Sequence, residues 1–214
     1  MPKHAIVVVD MQAYFCRRDH AFGKFVAALG RTEDLNWFFD RLADKVVPTI
    51  AKLQDRARQR HELIVVTEFG SRTTSGSDLP GWARRHNDLA RSLIGENIYI
   101  PLEDPAARTI AELSEFKPDL LVQRSTSGPL AGTGIVAQLR EAGVEQVQVT
   151  GVATDVCITN WVRQLADCDF EVTVPEDACA TPFQESHDWA LRVGIAPFAS
   201  VLDSASIHRT GVLR

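Results

Sequence analysis

Three residues have types and positions that could do chemistry together: Cys157, Asp10 and Arg124. The segment Val147-Gln148-Val149-Thr150-Gly151-Val152-Ala153-Thr154-Asp155-Val156-Cys157-Ile158 is an apolar, β-branched run that stops at a glycine. A short turn then delivers a cysteine to what reads as the first turn of a helix. Backbone N–H groups and the positive end of the helix dipole at such a place favour the thiolate, which is the nucleophilic form. Asp10 closes the apolar run His4–Val9, and Arg124 follows the run Asp119–Gln123. A carboxylate beside a thiol can take its proton. A cation can hold both the thiolate and the oxyanion formed when it attacks a carbonyl. Those are the nucleophile, base and electrostatic partner of acyl transfer.

The three residues can meet only if a parallel sheet brings the carboxyl ends of its strands to one edge, which is where open α/β sheets place their functional groups. The pattern supplies such a sheet. Strands are expected at His4–Val9, Leu63–Thr67, Asp119–Gln123, Val144–Thr150, Phe170–Val174 and Ala196–Leu202. Between them, Phe38, Leu42, Val46, Ile50, Leu53 and Ala57 recur at helical spacing from Trp37 to about Arg60, with a kink or restart at Pro48. Further helices are expected at Gly134–Ala142, ended by Gly143, at Asp155–Ala166 and at Gln184–Val193. Tyr14 to Asn36 reads as a loop with a short helix. Glu68 to about Asn97 is polar and without clear period; it reads as a lid or an oligomer contact whose Leu79, Trp82, Leu89, Leu93 and Ile94 need burial. Alternating strands and helices imply a single α/β domain over residues 1–214, a Rossmann-like three-layer α/β/α architecture with a parallel sheet of about six strands.

Composition narrows the function. The chain has 214 residues and a formal net charge of −5, which gives no footprint for nucleic acid or acidic membranes. No apolar run approaches a membrane span, and the start, Met-Pro-Lys-His-Ala-Ile-Val, has no signal-peptide pattern, so a cytoplasmic location is expected. Cys16, Cys157, Cys168 and Cys179 are scattered without a CxxC pair, which favours free thiols over disulfides or zinc.

Four segments carry a family resemblance that covers nearly the whole chain. They are Val7-Val8-Val9-Asp10-Met11-Gln12-Ala13-Tyr14-Phe15, Ala131-Gly132-Thr133-Gly134-Ile135 with Leu139 and Gly143, Gly151 to Ile158, and Glu176-Asp177-Ala178-Cys179-Ala180. In order and spacing they resemble the isochorismatase-like cysteine hydrolases, a superfamily that includes nicotinamidases, N-carbamoylsarcosine amidases, ureidoacrylate hydrolases and biuret-type hydrolases. The resemblance implies that Asp10 is the general base and Cys157 the nucleophile. The N–H groups of Ala153 and Cys157 would form the oxyanion hole, with a cis peptide at Val152–Ala153. It also implies that Phe15, Gln12, Trp82 and Thr154 lie at the substrate, that no cofactor or metal is required, and that the chain assembles as a dimer or tetramer.

Three departures from the family stand out. Its catalytic Lys aligns on Arg124, which keeps the charge but does not give up its proton. The metal-binding Asp and His of nicotinamidases are missing from Thr67-Glu68-Phe69-Gly70-Ser71-Arg72. Trp161 stands one helical turn after Cys157 where many members have Thr.

Other residues read as structural. Cys179 is expected in the core, Cys16 and Cys168 carry no motif, His187 falls on the polar side of a helix, and His86 lies on the lid surface. Arg17, Arg18, Arg72, Arg84 and Arg85 crowd the two suspected site loops, where one or two could bind a carboxylate or a urea carbonyl by a forked contact. The expected function is hydrolysis of a C–N amide or ureide bond in a small polar molecule through a thioester. Isochorismatase-type vinyl-ether cleavage, an inactive Arg-substituted binding or assembly protein, and a thiol redox sensor stay open as alternatives.

Overall fold

The computed structural model describes residues 4–207; Met1–Lys3, part of the stretch read for a leader, lie outside them. The strands are β1 (His4–Val9), β2 (Leu63–Phe69), β3 (Leu120–Arg124), β4 (Gln146–Val152), β5 (Glu171–Pro175), β6 (Cys179–Ala180) and β7 (Ser200–Leu202). The helices are α1 (Ala13–Cys16), α2 (Ala21–Ala28), α3 (Thr32–Arg41), α4 (Val47–Gln59), α5 (Gly81–Ile94), α6 (Ala111–Ser114), α7 (Ile135–Glu141), α8 (Thr159–Ala166), α9 (Gln184–Trp189) and α10 (Ser204–Ile207). The sheet runs β3-β2-β1-β4-β5-β7, every pair parallel, with the two-residue β6 paired to the end of β4.

Both faces of this sheet are covered. Along β1 the side chains alternate between two cores, because successive residues of a strand point to opposite faces. Ala5, Val7 and Val9 pack with Ile135, Leu139, Trp161 and Leu165 from α7 and α8. Ile6 and Val8 pack with Phe38, Ile50, Leu53 and Ala57 from α3 and α4. That is the three-layer arrangement the alternation of strands and helices implies.

Several boundaries differ from the sequence reading. Tyr14–Asn36 is not a loop: it folds into α1, α2 and the start of α3, whose apolar residues Phe25, Val26 and Leu35 are buried. The stretch from Glu68 to Asn97 contains the fourteen-residue α5. Its buried face is built from small or polar residues, Ala83, Asn87 and Ala90, so a scan for large apolar residues passes over it. Leu89 and Leu93, expected to be buried, are 45% and 46% exposed. At Pro48 the long helix does not break. A π-turn over Leu42–Val46 joins α3 to α4 and absorbs the proline, which sits in the first turn of α4 where its missing N–H costs nothing.

β4 runs two residues further than expected, through Gly151 to Val152, because Gly151 still pairs with Val9 of β1. Gly151 has φ of +113°, and a Cβ there would overlap the carbonyl oxygen of Val9. Only glycine lets β4 approach β1 this closely, one residue before Asp10. Gly151→Ala is expected to cost about 2–4 kcal/mol of stability by overpacking and backbone strain, read as a lower urea midpoint at unchanged m-value.

Candidate active site

Asp10 lies one residue beyond β1, with φ of 54°, a left-handed conformation that Asp tolerates better than most residues. Its position is fixed from β2. The Asp10 N–H donates to the Thr67 carbonyl at 3.2 Å, and the Thr67 hydroxyl donates to Asp10 Oδ1 at 2.6 Å. Arg124 ends β3, one residue later than the sequence suggested, and its backbone is in register with Phe69 of β2. β3 is separated from β1 by the whole width of β2, about 10 Å across two strand spacings. A long side chain is therefore needed to reach Asp10, and Arg124 Nη2 donates to Asp10 Oδ2 at 2.7 Å. Both side chains are fully buried. The guanidinium lies 5.6 Å from the centroid of the Phe69 ring and 5.7 Å from that of Trp161, and a second nitrogen bonds the Thr126 carbonyl. These rings and bonds hold a planar fork, which explains what Trp161 contributes one turn after the cysteine.

Cys157 completes the group: Asp10 and Arg124 are the charged neighbours that act on its thiol. Its turn, Thr154–Ile158, is a π-turn leading into α8, with the Ile158 N–H donating to the Ala153 carbonyl at 3.1 Å. The peptide bond Val152–Ala153 is cis. The expectation of a dipole-stabilised thiolate needs correction. Burial, and then the Asp10 charge, push the Cys157 thiol well above its ordinary value, and Arg124 only partly opposes them. Burial thus favours the neutral thiol, so attack needs a proton transfer.

Cys157 opens into a cavity of about 340 Å³. Ala153 and Cys157, the residues whose N–H groups were expected to hold an oxyanion, both line it, as do Phe15 and Trp82. Gln12 and Thr154 do not line it, because their polar atoms serve the backbone and the turn instead. The Gln12 side chain donates to the carbonyls of Phe69 and Ala107 and accepts from the Phe69 N–H, which ties β1 to β2. Thr154 faces away and bonds His187 Nδ1 at 2.9 Å. None of Arg17, Arg18, Arg72, Arg84 and Arg85 lines the cavity. Arg17 pairs with Glu112, Arg18 with Asn36, and Arg72 with the Gln123 carbonyl. Cys179 is fully buried in the core, as expected.

The two histidines fare differently. His86 is exposed on the lid, as expected, and it also lines the cavity and bonds the Tyr99 hydroxyl at 3.2 Å. His187 is not on a solvated face; it is 3% exposed. Its Nε2 lies 3.0 Å from an Arg41 nitrogen that can only donate, so Nδ1 carries the proton and donates to Thr154. Arg41 in turn holds the carbonyls of Cys179 and Glu176. The chain Arg41–His187–Thr154 braces the nucleophile turn from behind, and no local spacing marks it. The aromatic density between Tyr14 and Phe39 is the sequence feature that points to the cavity wall.

Burial, helped by Arg41, lowers the His187 pKa from 6.5 to about 3. Below pH 6.5 the unfolded chain takes up a proton that the folded chain refuses, so stability falls as pH drops from 6.5 towards 3 and levels off below that. A loss of roughly 3–5 kcal/mol is expected across this window. Urea titrations at successive pH values check it, and His187→Gln should remove this part of the slope.

The structure also bears on a bound metal. Glu68 is the carboxylate in the stretch where nicotinamidases bind metal, and its oxygens accept from Arg108, the Thr109 N–H and Gln123. Among the described residues no group of three or more His, Cys, Asp or Glu is placed to hold an ion. The residues present do not fit a metal centre. No helix among the described residues is long and apolar enough to cross a membrane.

Nicotinamidase 3 of Arabidopsis thaliana is 30% identical over 93 residues, which are 44% of this chain and 47% of that protein. An uncharacterised isochorismatase family protein of Bacillus subtilis is 31% identical over 78 residues, 36% of this chain and 43% of its own length. The chain thus aligns with less than half the length of these curated relatives. Solved structures match over almost the whole chain. An isochorismatase family protein from Desulfovibrio vulgaris superposes with a TM-score of 0.76 at 18% identity, covering 98% of both chains. A cysteine hydrolase from Pseudomonas syringae gives 0.76 at 21% identity, covering 97% and 91%. The pyrazinamidase of Pyrococcus horikoshii, solved in complex with zinc, gives 0.67 at 20% identity, covering 94% and 99%. At these identities the structures speak for the fold. The isochorismatase domain family model matches residues 4–206, and on that match this chain belongs to the isochorismatase family.

Proposed function

We propose that the protein is a cysteine amidohydrolase that cleaves a C–N bond of an uncharged small molecule. The observation that carries this reading is the convergence of Asp10, Arg124 and Cys157, with Cys157 lining a mostly apolar cavity. Asp10 takes the proton from the Cys157 thiol as Sγ attacks the amide carbonyl. The oxyanion forms beside the N–H groups of Ala153 and Cys157. Asp10 then gives its proton to the departing nitrogen, ammonia or an amine leaves, and Cys157 carries the acyl group as a thioester. Asp10 next draws a proton from water, which attacks the thioester carbonyl; the C–S bond breaks, the acid leaves, and Asp10 returns the proton to Cys157 Sγ. Arg124 stays protonated throughout. It holds Asp10 in place and balances the negative charge that moves between carboxylate, thiolate and oxyanion.

Among amides and ureides, a urea-like substrate is what the missing metal residues and the arginine-rich loops suggest from sequence. None of those arginines lines the cavity, so the loops do not favour a urea over a simple amide. The test is ammonia release from a panel of amides and ureides by wild type and Cys157→Ala. Release by wild type that vanishes in Cys157→Ala supports the reading. Equal release by both removes the thiol from the mechanism, and vinyl-ether cleavage that survives Cys157→Ala would favour the isochorismatase-type alternative.

A further inference from the structure

The walls of the cavity around Cys157 carry more information than its catalytic end. Eight of its twenty lining residues are Phe, Trp or Tyr, and aliphatic side chains supply most of the rest. Lysine and arginine are absent from the described lining. The polar lining groups are few, and several bond one another. Thr181 donates to Asp155 Oδ1 at 2.6 Å, and His86 and Tyr99 bond each other. Asp155 is the lining carboxylate other than the reacting centre, and it opposes a second negative charge. Arg124 offers nothing to a substrate carboxylate, since it is fully buried and bonded to Asp10 and Thr126. The mouth is apolar too: Leu29, Leu89 and Val156 line it and are 44%, 45% and 41% exposed.

From these observations we infer that the substrate is an uncharged primary amide on an extended apolar acyl body, an arylalkyl or alkyl chain of several carbons without a carboxylate. This deepens the amidohydrolase reading and rests on it. The reacting amide sits at Cys157, and the apolar body lies among Phe15, Phe22, Phe25 and Trp82 and continues towards Leu29 and Leu89. The volume of about 340 Å³ is at the lower end of the range for small-molecule sites. That is more than acetamide or urea fills, so small polar amides leave apolar wall in contact with water. Burial of each added methylene contributes about 0.8 kcal/mol, a factor of about four.

The test uses the homologous series phenylacetamide, 3-phenylpropanamide and 4-phenylbutanamide, with acetamide, nicotinamide, biuret and a ureido acid as polar comparators. Binding is read by calorimetry on Cys157→Ala, and kcat/KM on wild type. The inference expects Kd to fall by about fourfold per methylene until the cavity is full. It expects the phenylalkanamides to bind at least tenfold tighter than each polar comparator, and kcat/KM to rise in parallel. Trp82→Ala should shrink the ratio between 4-phenylbutanamide and acetamide. A flat series, or tighter binding of biuret or the ureido acid, overturns the inference. Graded binding without turnover of any amide upholds the apolar site and overturns the amidohydrolase reading, so the two failures are distinguishable.

Discussion

Asp10→Asn is expected to reduce kcat/KM on any amide the protein hydrolyses by at least about a thousandfold, and to destabilise the fold by roughly 3–5 kcal/mol. Both effects come from one carboxylate. As a base it receives the thiol proton, and the neutral amide cannot. As an anion it is the counter-charge of a fully buried guanidinium. Breaking a buried ion pair by removing one partner leaves the other uncompensated, which costs far more than losing a surface pair. Asparagine keeps the size and can still accept from Thr67, so the loss measures charge rather than volume. Denaturant unfolding and single-substrate kinetics on the same preparation separate the two. Activity within tenfold of wild type would place the base elsewhere.

The second large effect concerns Arg124, and two substitutions divide its roles. Arg124→Ala removes the cation, leaves a cavity between Phe69 and Trp161, and strands the Asp10 carboxylate in the interior. A loss of about 3–5 kcal/mol is expected. Activity should fall below about one thousandth, because an isolated buried carboxylate neutralises by taking up a proton and can no longer accept one. Arg124→Lys keeps the charge but gives up the bond to Thr126 and the flat contact with two rings. Its stability cost is expected near 1–2 kcal/mol with activity within about tenfold of wild type. If Arg124→Lys were as damaged as Arg124→Ala, the guanidinium fork would matter for more than its charge. A gain of activity with lysine would mark the arginine as a handicap.

What could be seen in the sequence follows from what is local. The strands of β1, β2 and β4 are continuous apolar runs because both faces are buried, and they were visible as such. The motif around Cys157 and the aspartate after β1 were equally visible, since each lies within a few residues of its own strand end. The pairing of Arg124 with Asp10 needs two strand spacings and a long side chain, and it came only from position after β3 and from family resemblance. The protonated state of Cys157 could not be read at all. A helix start suggested a thiolate, whereas burial and the neighbouring carboxylate reverse the balance. Helix α5 escaped because its packed face is Ala83, Asn87 and Ala90, residues that bury well but do not mark an apolar stripe. The polar partnerships of Gln12, Thr154 and His187 are long-range contacts to backbone and side chains, which local pattern does not encode. The arginines mislead in the opposite direction: their number near the site loops suggests a polar substrate, but none of them lines the cavity.

The central claim is that the Cys157 thiol attacks the substrate carbonyl and carries the acyl group. The most direct measurement is an acid quench of wild type during turnover of the best amide, followed by intact-protein and peptide mass spectrometry. A mass increase equal to the acyl group, confined to the peptide containing Cys157 and absent in Cys157→Ala, is the predicted result. Steady turnover by Cys157→Ala, or an acyl group carried on Cys16, Cys168 or Cys179, would contradict it.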